Sequence, residues 1–168
     1  MARTLAESRP GGSDFAEYAH GRGGEHVETM ASLSSWLQSL VSGWQARAGN
    51  AVHYQFDTGV NASNAMMSVP PELALNVYRM TQEALSNIAR HSAARQVQIK
   101  VDLPDGHLMW CSQDDGCGIG ALAEAMQRGI GLVGLRERAW AHGATLEIAS
   151  SDSGSTFSAA FPLAATNA

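Results

Sequence analysis

The residues best equipped for chemistry fall in three short segments. The first is Gln82-Glu83-Ala84-Leu85-Ser86-Asn87-Ile88-Ala89-Arg90-His91, the second Asp114-Asp115-Gly116-Cys117-Gly118-Ile119-Gly120, and the third Gly129-Ile130-Gly131-Leu132. Glu83 and Asn87 are four apart, so on a helix their side chains are neighbours. A side-chain amide oxygen is a neutral ligand for Mg²⁺, which takes few protein ligands when phosphates supply the rest. A carboxylate beside it can take a proton from an attacking group or orient that group. Asp114 stands where a strand should end, and a carboxylate there can accept a hydrogen bond from the exocyclic amine of adenine. Gly116 and Gly118 let backbone approach a ring closely. Gly129 and Gly131 precede a helix, whose free N–H groups suit phosphate oxygens. Thr156, after Gly154-Ser155, could add a hydroxyl near the same phosphates. Together these residues describe a nucleotide pocket. Singly, each has a plainer reading: a solvated helix face, an Asp-Gly turn, a flexible connection, a β-branched strand residue. Cys117 reads as a small residue tolerated in the pocket loop.

These groups need elements to hold them. Residues 30–48 read as an amphipathic helix with Leu33, Leu37, Leu40, Val41 and Trp44 on one face, ended by Gly49. Val52, Tyr54 and Phe56 alternate with polar residues as a strand would. Residues 58–69 form an Asn-, Ser- and Gly-rich loop. Pro70 and Pro71 suit the first turn of a helix running to about His91. Leu73, Val77, Met80, Ala84 and Ile88 make its core stripe, with Asn76, Glu83, Asn87 and Arg90 on another face. Val97, Ile99, Val101 and Leu103 alternate with polar residues, giving a strand with one buried and one wet face. Pro104-Asp105-Gly106 turns the chain into a returning strand, 107–113, that delivers Asp114. Residues 119–131 are a short loop or lid, with one helical turn near Leu122–Gln127. A helix over 132–142 stops at Gly143. Strands 144–150 and 155–162 follow, joined by Asp152-Ser153-Gly154. Trp36 and Trp44 read as helix-packing residues and Trp110 as a strand residue under a helical layer. Paired strands mixed with helices predict an α+β, two-layer α/β sandwich: helices on one face of a mixed, mostly antiparallel sheet.

Composition narrows the classes. The chain has 168 residues, 45% hydrophobic and 16% charged, which suits one globular domain. A net charge of −5 and the lack of a Lys/Arg stripe argue against nucleic acid as a partner. Cys111 and Cys117 have no companions at zinc spacing and fit a reducing, cytoplasmic setting. No run approaches the roughly 18 apolar residues of a membrane span. Residues 1–29 read as a flexible lead-in, 30–164 as the domain and 165–168 as a tail.

The order of motifs resembles the ATP-binding catalytic domain of sensor histidine kinases, in the gyrase, chaperone, histidine kinase and mismatch-repair ATPase superfamily. The resemblance is strongest to the nitrate/nitrite-sensor subfamily. It rests on Tyr78-Arg79-Met80-x-Gln82-Glu83-Ala84-Leu85-x-Asn87-Ile88-x-Arg90-His91 and on Asp114-Asp115-Gly116-x-Gly118. It rests also on Gly129-x-Gly131-Leu132-x-Gly134-Leu135-Arg136-Glu137-Arg138-Ala139, on His142-Gly143-Ala144 and on Phe161-Pro162-Leu163. The match covers roughly residues 33–163. It implies the Bergerat-type ATP-binding fold, with ATP and Mg²⁺ as cofactors. By resemblance, Asn87 holds Mg²⁺ and Glu83 is the acidic residue linked to phosphoryl transfer. Arg90 and His91 line the phosphate and ribose side. Asp114 binds the adenine amine, with Gly116 and Gly118 shaping that wall, and Gly129, Gly131 and Leu132 close over the phosphates. Thr156 belongs to the last motif, where Ser155-Thr156 replaces the family's Gly-Thr. The implied reaction moves the γ-phosphoryl group of ATP to a histidine. The implied partners are the dimerisation and phosphoacceptor domain of a histidine kinase and a response regulator.

Upstream, His20 precedes Gly21-Arg22-Gly23-Gly24 and His26 precedes Val27, and neither resembles the acceptor, which an acidic residue normally follows. The target histidine is therefore expected on another domain or chain, and this chain is expected to be monomeric. Two other readings stay open on the same fold: a nucleotide-binding interaction module without phosphotransfer, and a serine-directed kinase of the anti-sigma type.

Overall fold

The computed structural model describes residues 28–120, 124 and 131–163. Seven strands and three helices occur among them: β1 (Glu28–Thr29), α1 (Met30–Ala48), β2 (His53–Thr58), β3 (Ser68–Val69), α2 (Pro71–His91), β4 (Gln96–Asp102), β5 (His107–Asp114), α3 (Leu132–Ala141), β6 (Glu147–Ser151) and β7 (Gly154–Pro162). The main sheet has the order β2-β4-β5-β7-β6. Only the β2–β4 pair is parallel. The expected α+β sandwich with a mixed, mostly antiparallel sheet is what forms. β1 and β3 add a two-stranded ribbon that the sequence pattern does not announce, and Glu28 and Thr29 belong to it rather than to a free lead-in.

Each element has a local cause. Thr29 and Ser32 form a capping box at the start of α1, each side chain meeting the other's backbone N–H. Gly49 closes α1 at φ 59°, donating its N–H to the Gln45 carbonyl. Pro71 opens α2, where a missing N–H is harmless. The β4–β5 connection is a 3₁₀ turn, Pro104–Gly106, with Asp105 and Gly106 both at positive φ. β6 starts at Glu147, three residues later than its pattern suggests, where pairing with Ser158 of β7 begins; Ala144 and Leu146 are buried in the approach to it.

The strands alternate strictly between faces. Val97, Ile99 and Val101 of β4, then Leu108, Trp110, Ser112 and Asp114 of β5, point inward. On β7 the inward set is Ser155, Phe157, Ala159 and Phe161. The helices cover this face alone. The opposite face carries a row of Gln55, Gln98, Gln113 and Thr156 in register across four strands. Packing divides into two clusters. Leu33, Leu37, Val77, Met80, Trp110, Leu135 and Phe161 belong to the larger, and Val41, Tyr54, Leu85, Ile88, Val97 and Ile99 to the smaller. The expected stripe of α2 is buried as predicted. In α1, Leu33, Leu37 and Val41 are buried, while Leu40 and Trp44 pack half-exposed on the smaller cluster.

One polar chain crosses the core. The fully buried Trp110 donates its indole N–H to Thr81 Oγ1 at 2.9 Å, and Thr81 donates to the Val77 carbonyl at 2.8 Å. A buried indole N–H needs an acceptor, and a mid-helix threonine can supply one without leaving its own helix. Thr81→Val keeps the shape and removes the acceptor. It should destabilise the domain by about 1–3 kcal/mol, read as a shifted urea midpoint at unchanged slope. An unshifted midpoint would show that the bond contributes nothing.

Candidate functional site

Asp114 is the last residue of β5 and faces inward, 5% exposed, between Val97 of β4 and Ser155 of β7. Its Oδ1 accepts the Gly116 N–H at 2.8 Å. Burial pushes its carboxyl above the ordinary value. The Gly116 N–H and the Ser92 hydroxyl oppose that rise, while the like charge of Asp115 adds to it. Asp115 turns away and accepts the Arg95 and Gln96 N–H groups, each at 2.8 Å, which hold its carboxyl below the usual value. The glycines are required by space. A Cβ on Gly116 would strike the Ser92 carbonyl, and Gly118, at φ 72°, lies against the Ser151 carbonyl. The turn is therefore pinned to both the end of α2 and the end of β6.

The second group of residues sits along α2. Glu83 and Asn87 lie one turn apart, and Gly131, at φ 68° before α3, packs directly on both. A Cβ on Gly131 would collide with Glu83 Oε1 and lie 2.9 Å from Asn87 Nδ2. Leu132, the next residue, is buried. Asn87 Nδ2 is buried with no partner among the described residues. The oxygen and nitrogen of an amide exchange by a half-turn, so this end of Asn87 is free to face a metal–phosphate group. No group of three His, Cys, Asp or Glu side chains gathers among the described residues.

Other expected residues fall at the margins. Arg90 is exposed and donates to the Ser86 hydroxyl. His91 is exposed at the end of α2, and its carbonyl lies 3.4 Å from the Cys117 thiol. Asn76, expected on the same helix face as Glu83 and Asn87, is buried and donates to the Arg138 carbonyl at 3.0 Å, tying α2 to α3. Gly129 and the helical turn expected near Leu122–Gln127 lie outside the described residues, apart from Glu124, which is helical.

Thr156 requires a correction. Successive strand residues point to opposite faces, and Phe157, Ala159 and Phe161 are inward. Thr156 therefore faces outward, beside Gln113 and Ala149. The hydroxyl on the site's side is that of Ser155, opposite Asp114 in register and 4% exposed. Its Oγ lies 3.2 Å from Ser150 Oγ, which accepts the Ile119 N–H at 2.9 Å. Strand parity, read backwards from Phe157, is the signal that selects Ser155. Ser92 and Ser150 carry no comparable signal.

Residues 72–165 match the family described as "Histidine kinase-, DNA gyrase B-, and HSP90-like ATPase", and the chain belongs to that family. It is a histidine-kinase-type ATPase catalytic domain, an ATP-binding module. Among curated relatives, Sensor histidine kinase YxjM of Bacillus subtilis (strain 168) is 33% identical over 141 residues, covering 83% of this chain and 32% of that protein. Sensor protein VraS of Staphylococcus aureus (strain COL) is 38% identical over 133 residues, covering 79% of this chain and 36% of that protein. The chain thus spans about a third of the length of these relatives. The histidine kinase domain of the Erythrobacter litoralis EL346 blue-light activated kinase shares the fold, with TM-score 0.69 and 21% identity over 88% of this chain and 69% of that one. The histidine kinase domain of the E. coli osmosensor EnvZ superposes with TM-score 0.59 at 17% identity, covering 88% of this chain and 96% of that one.

The raised carboxyl at Asp114 has a stability consequence. A folded-state value above the unfolded one means the native state binds the extra proton, so this group's contribution falls as pH rises through that window. Asp114→Asn cannot charge and keeps an oxygen for Gly116. Its melting temperature at neutral pH should equal or exceed that of the native sequence, and the difference should vanish below the ordinary carboxylate range. A variant that melts lower at neutral pH and recovers nothing in acid would contradict this account.

Proposed function

We propose that this domain binds Mg·ATP and passes the γ-phosphoryl group to a histidine on a dimerisation and phosphoacceptor domain, which then serves a response regulator. The observation that carries the reading is the partnerless, buried amide of Asn87 beside Glu83, beneath Gly131. In this reading Asp114 accepts the adenine amine, with Ser155 beside it on the neighbouring strand. Asn87 holds the metal. When bound there, Mg²⁺ would supply positive charge against that of the phosphates. Glu83 orients the attacking imidazole so that its nitrogen meets the γ-phosphorus as the bond to ADP breaks. Positioning supplies most of the rate. Arg90 and His91, exposed at the end of the same helix, flank the ribose and phosphates. The motif order supports membership of the nitrate/nitrite-sensor subfamily. No helix among the described residues is long and apolar enough to cross a membrane, and we place the domain on the cytoplasmic side.

The test is transfer from γ-labelled ATP to a separately supplied acceptor-histidine domain. Asn87→Ala should weaken Mg·ADP binding by about tenfold or more, a change of at least ~1.4 kcal/mol. Glu83→Gln should keep nucleotide affinity and slow transfer by about a hundredfold. Label that survives acid would point to a serine target. Binding without transfer to any acceptor would reduce the domain to a docking module. Folded protein that binds neither Mg·ATP nor Mg·ADP in a calorimeter would end the proposal.

A further inference from the structure

We propose that Ser112 is a specificity-determining residue for the base: with Asp114 it holds a buried water that donates to the ring nitrogen beside the exocyclic amine of adenine. This rests on the ATP-binding reading above. Ser112 lies between Trp110 and Asp114 on the inward face of β5. It is fully buried, and its Oγ has no partner among the described residues. In register it lies between Ile99 of β4 and Phe157 of β7, one from each apolar cluster, so it marks the seam of the core. Helix α2 runs along the same strand. Thr81 is bonded to Trp110 at one end, and the Ser92 carbonyl accepts the Cys117 N–H at 2.8 Å at the other. The stretch between these ties buries Ala84, Leu85 and Ile88 and carries Glu83 and Asn87 to Gly131. Ser112 thus stands one step deeper along β5 than Asp114, on the helix side of the sheet.

A buried hydroxyl left unpaired is costly. The polar neighbours on its face of the sheet are Asp114, two residues along the strand, and Ser155, opposite Asp114. Two strand residues span roughly 6.6 Å, too far for a direct bond and about the reach of one bridging water. Buried waters settle where such groups lack partners. A carboxylate offers about four acceptor sites. Gly116 uses one at Oδ1, which leaves sites for an amine and a water. Adenine presents an amine donor and a ring-nitrogen acceptor side by side. An ionised carboxylate answers only the first. The second needs a donor, and Ser155 already shares its hydroxyl with Ser150. Ser112 has its proton to spare. Given to the water, that proton leaves both water hydrogens free to donate, one to Asp114 and one to the ring nitrogen.

The experiment is calorimetry in Mg²⁺ with ADP and with 1-deaza-ADP, which keeps the amine and has C–H in place of the neighbouring ring nitrogen. In Ser112→Ala the preference for ADP should shrink about fivefold, with affinity for 1-deaza-ADP held within about twofold, as expected for one neutral hydrogen bond. Ser112→Thr and Ser112→Val share a shape and differ in the hydroxyl alone, so the threonine variant should keep the preference and the valine variant lose it. Should Ser112→Ala fail to fold, that pair decides by the same ratio. An unchanged preference in Ser112→Ala, equal weakening of both ligands, or equal loss in the threonine and valine variants overturns the inference. So does a native protein that binds the two ligands equally. A native protein that binds neither ligand removes the ATP-binding reading itself, and the inference with it.

Discussion

A carboxylate taken out of water with no cation beside it has to be held by hydrogen-bond donors. Among the described residues, Asp114 is in that position. The charge acting on it is that of Asp115, which is of the same sign. Much of the surrounding chain follows from this. The turn after β5 bends back so that the Gly116 N–H reaches Oδ1. It can do so because no Cβ at 116 meets the Ser92 carbonyl. Asp115 is drawn off to two backbone N–H groups of the loop before β4, which keeps its charge at the surface and the turn in place. β7 contributes a serine at that register position, where a larger apolar residue would bury the carboxylate further.

Helix α2 serves two partners at once. Its apolar stripe lies on the sheet, fastened by the Trp110–Thr81 bond. Its polar row of Asn76, Glu83 and Asn87 faces the segment that leads into and along α3. Asn76 fastens the far end of that row to α3, and Gly131 closes the near end. The groups that would handle phosphate are thus mounted on an element whose rotation about its own axis is fixed by the core. Regular elements hold such groups more tightly than loops do.

Much of this was legible in the residues. β4, β5 and α2 carry clean periods, and their burial follows those periods. Motif order singles out Glu83, Asn87, Asp114, Gly116 and Gly118, and Gly116 lies against Ser92 at the end of the helix that carries Glu83 and Asn87. Other features leave no such trace. Two residues in β1 and two in β3 are too few to show alternation. Ser155 and Thr156 are both hydroxyl residues, so composition alone cannot choose between them and only parity with Phe157 does. The polar row of α2 looks like a solvated face until α3 is placed against it. Ser92 meets Gly116 and Cys117 only because a helix end and a strand end, distant in sequence, arrive at the same place.

Ser92 and Asn87 are five residues apart on one continuous stretch of backbone that is helical to His91. At about 1.5 Å per residue, the two ends of the site stand roughly 7.5 Å apart along a rigid gauge. A helix changes length only in whole residues, and each residue also turns the chain by about 100°. One residue added or removed between them would swing Asn87 away from Gly131 even as it altered the span only slightly. The distance between the two ends is therefore quantised, and side chains can be exchanged along that stretch far more freely than its length can.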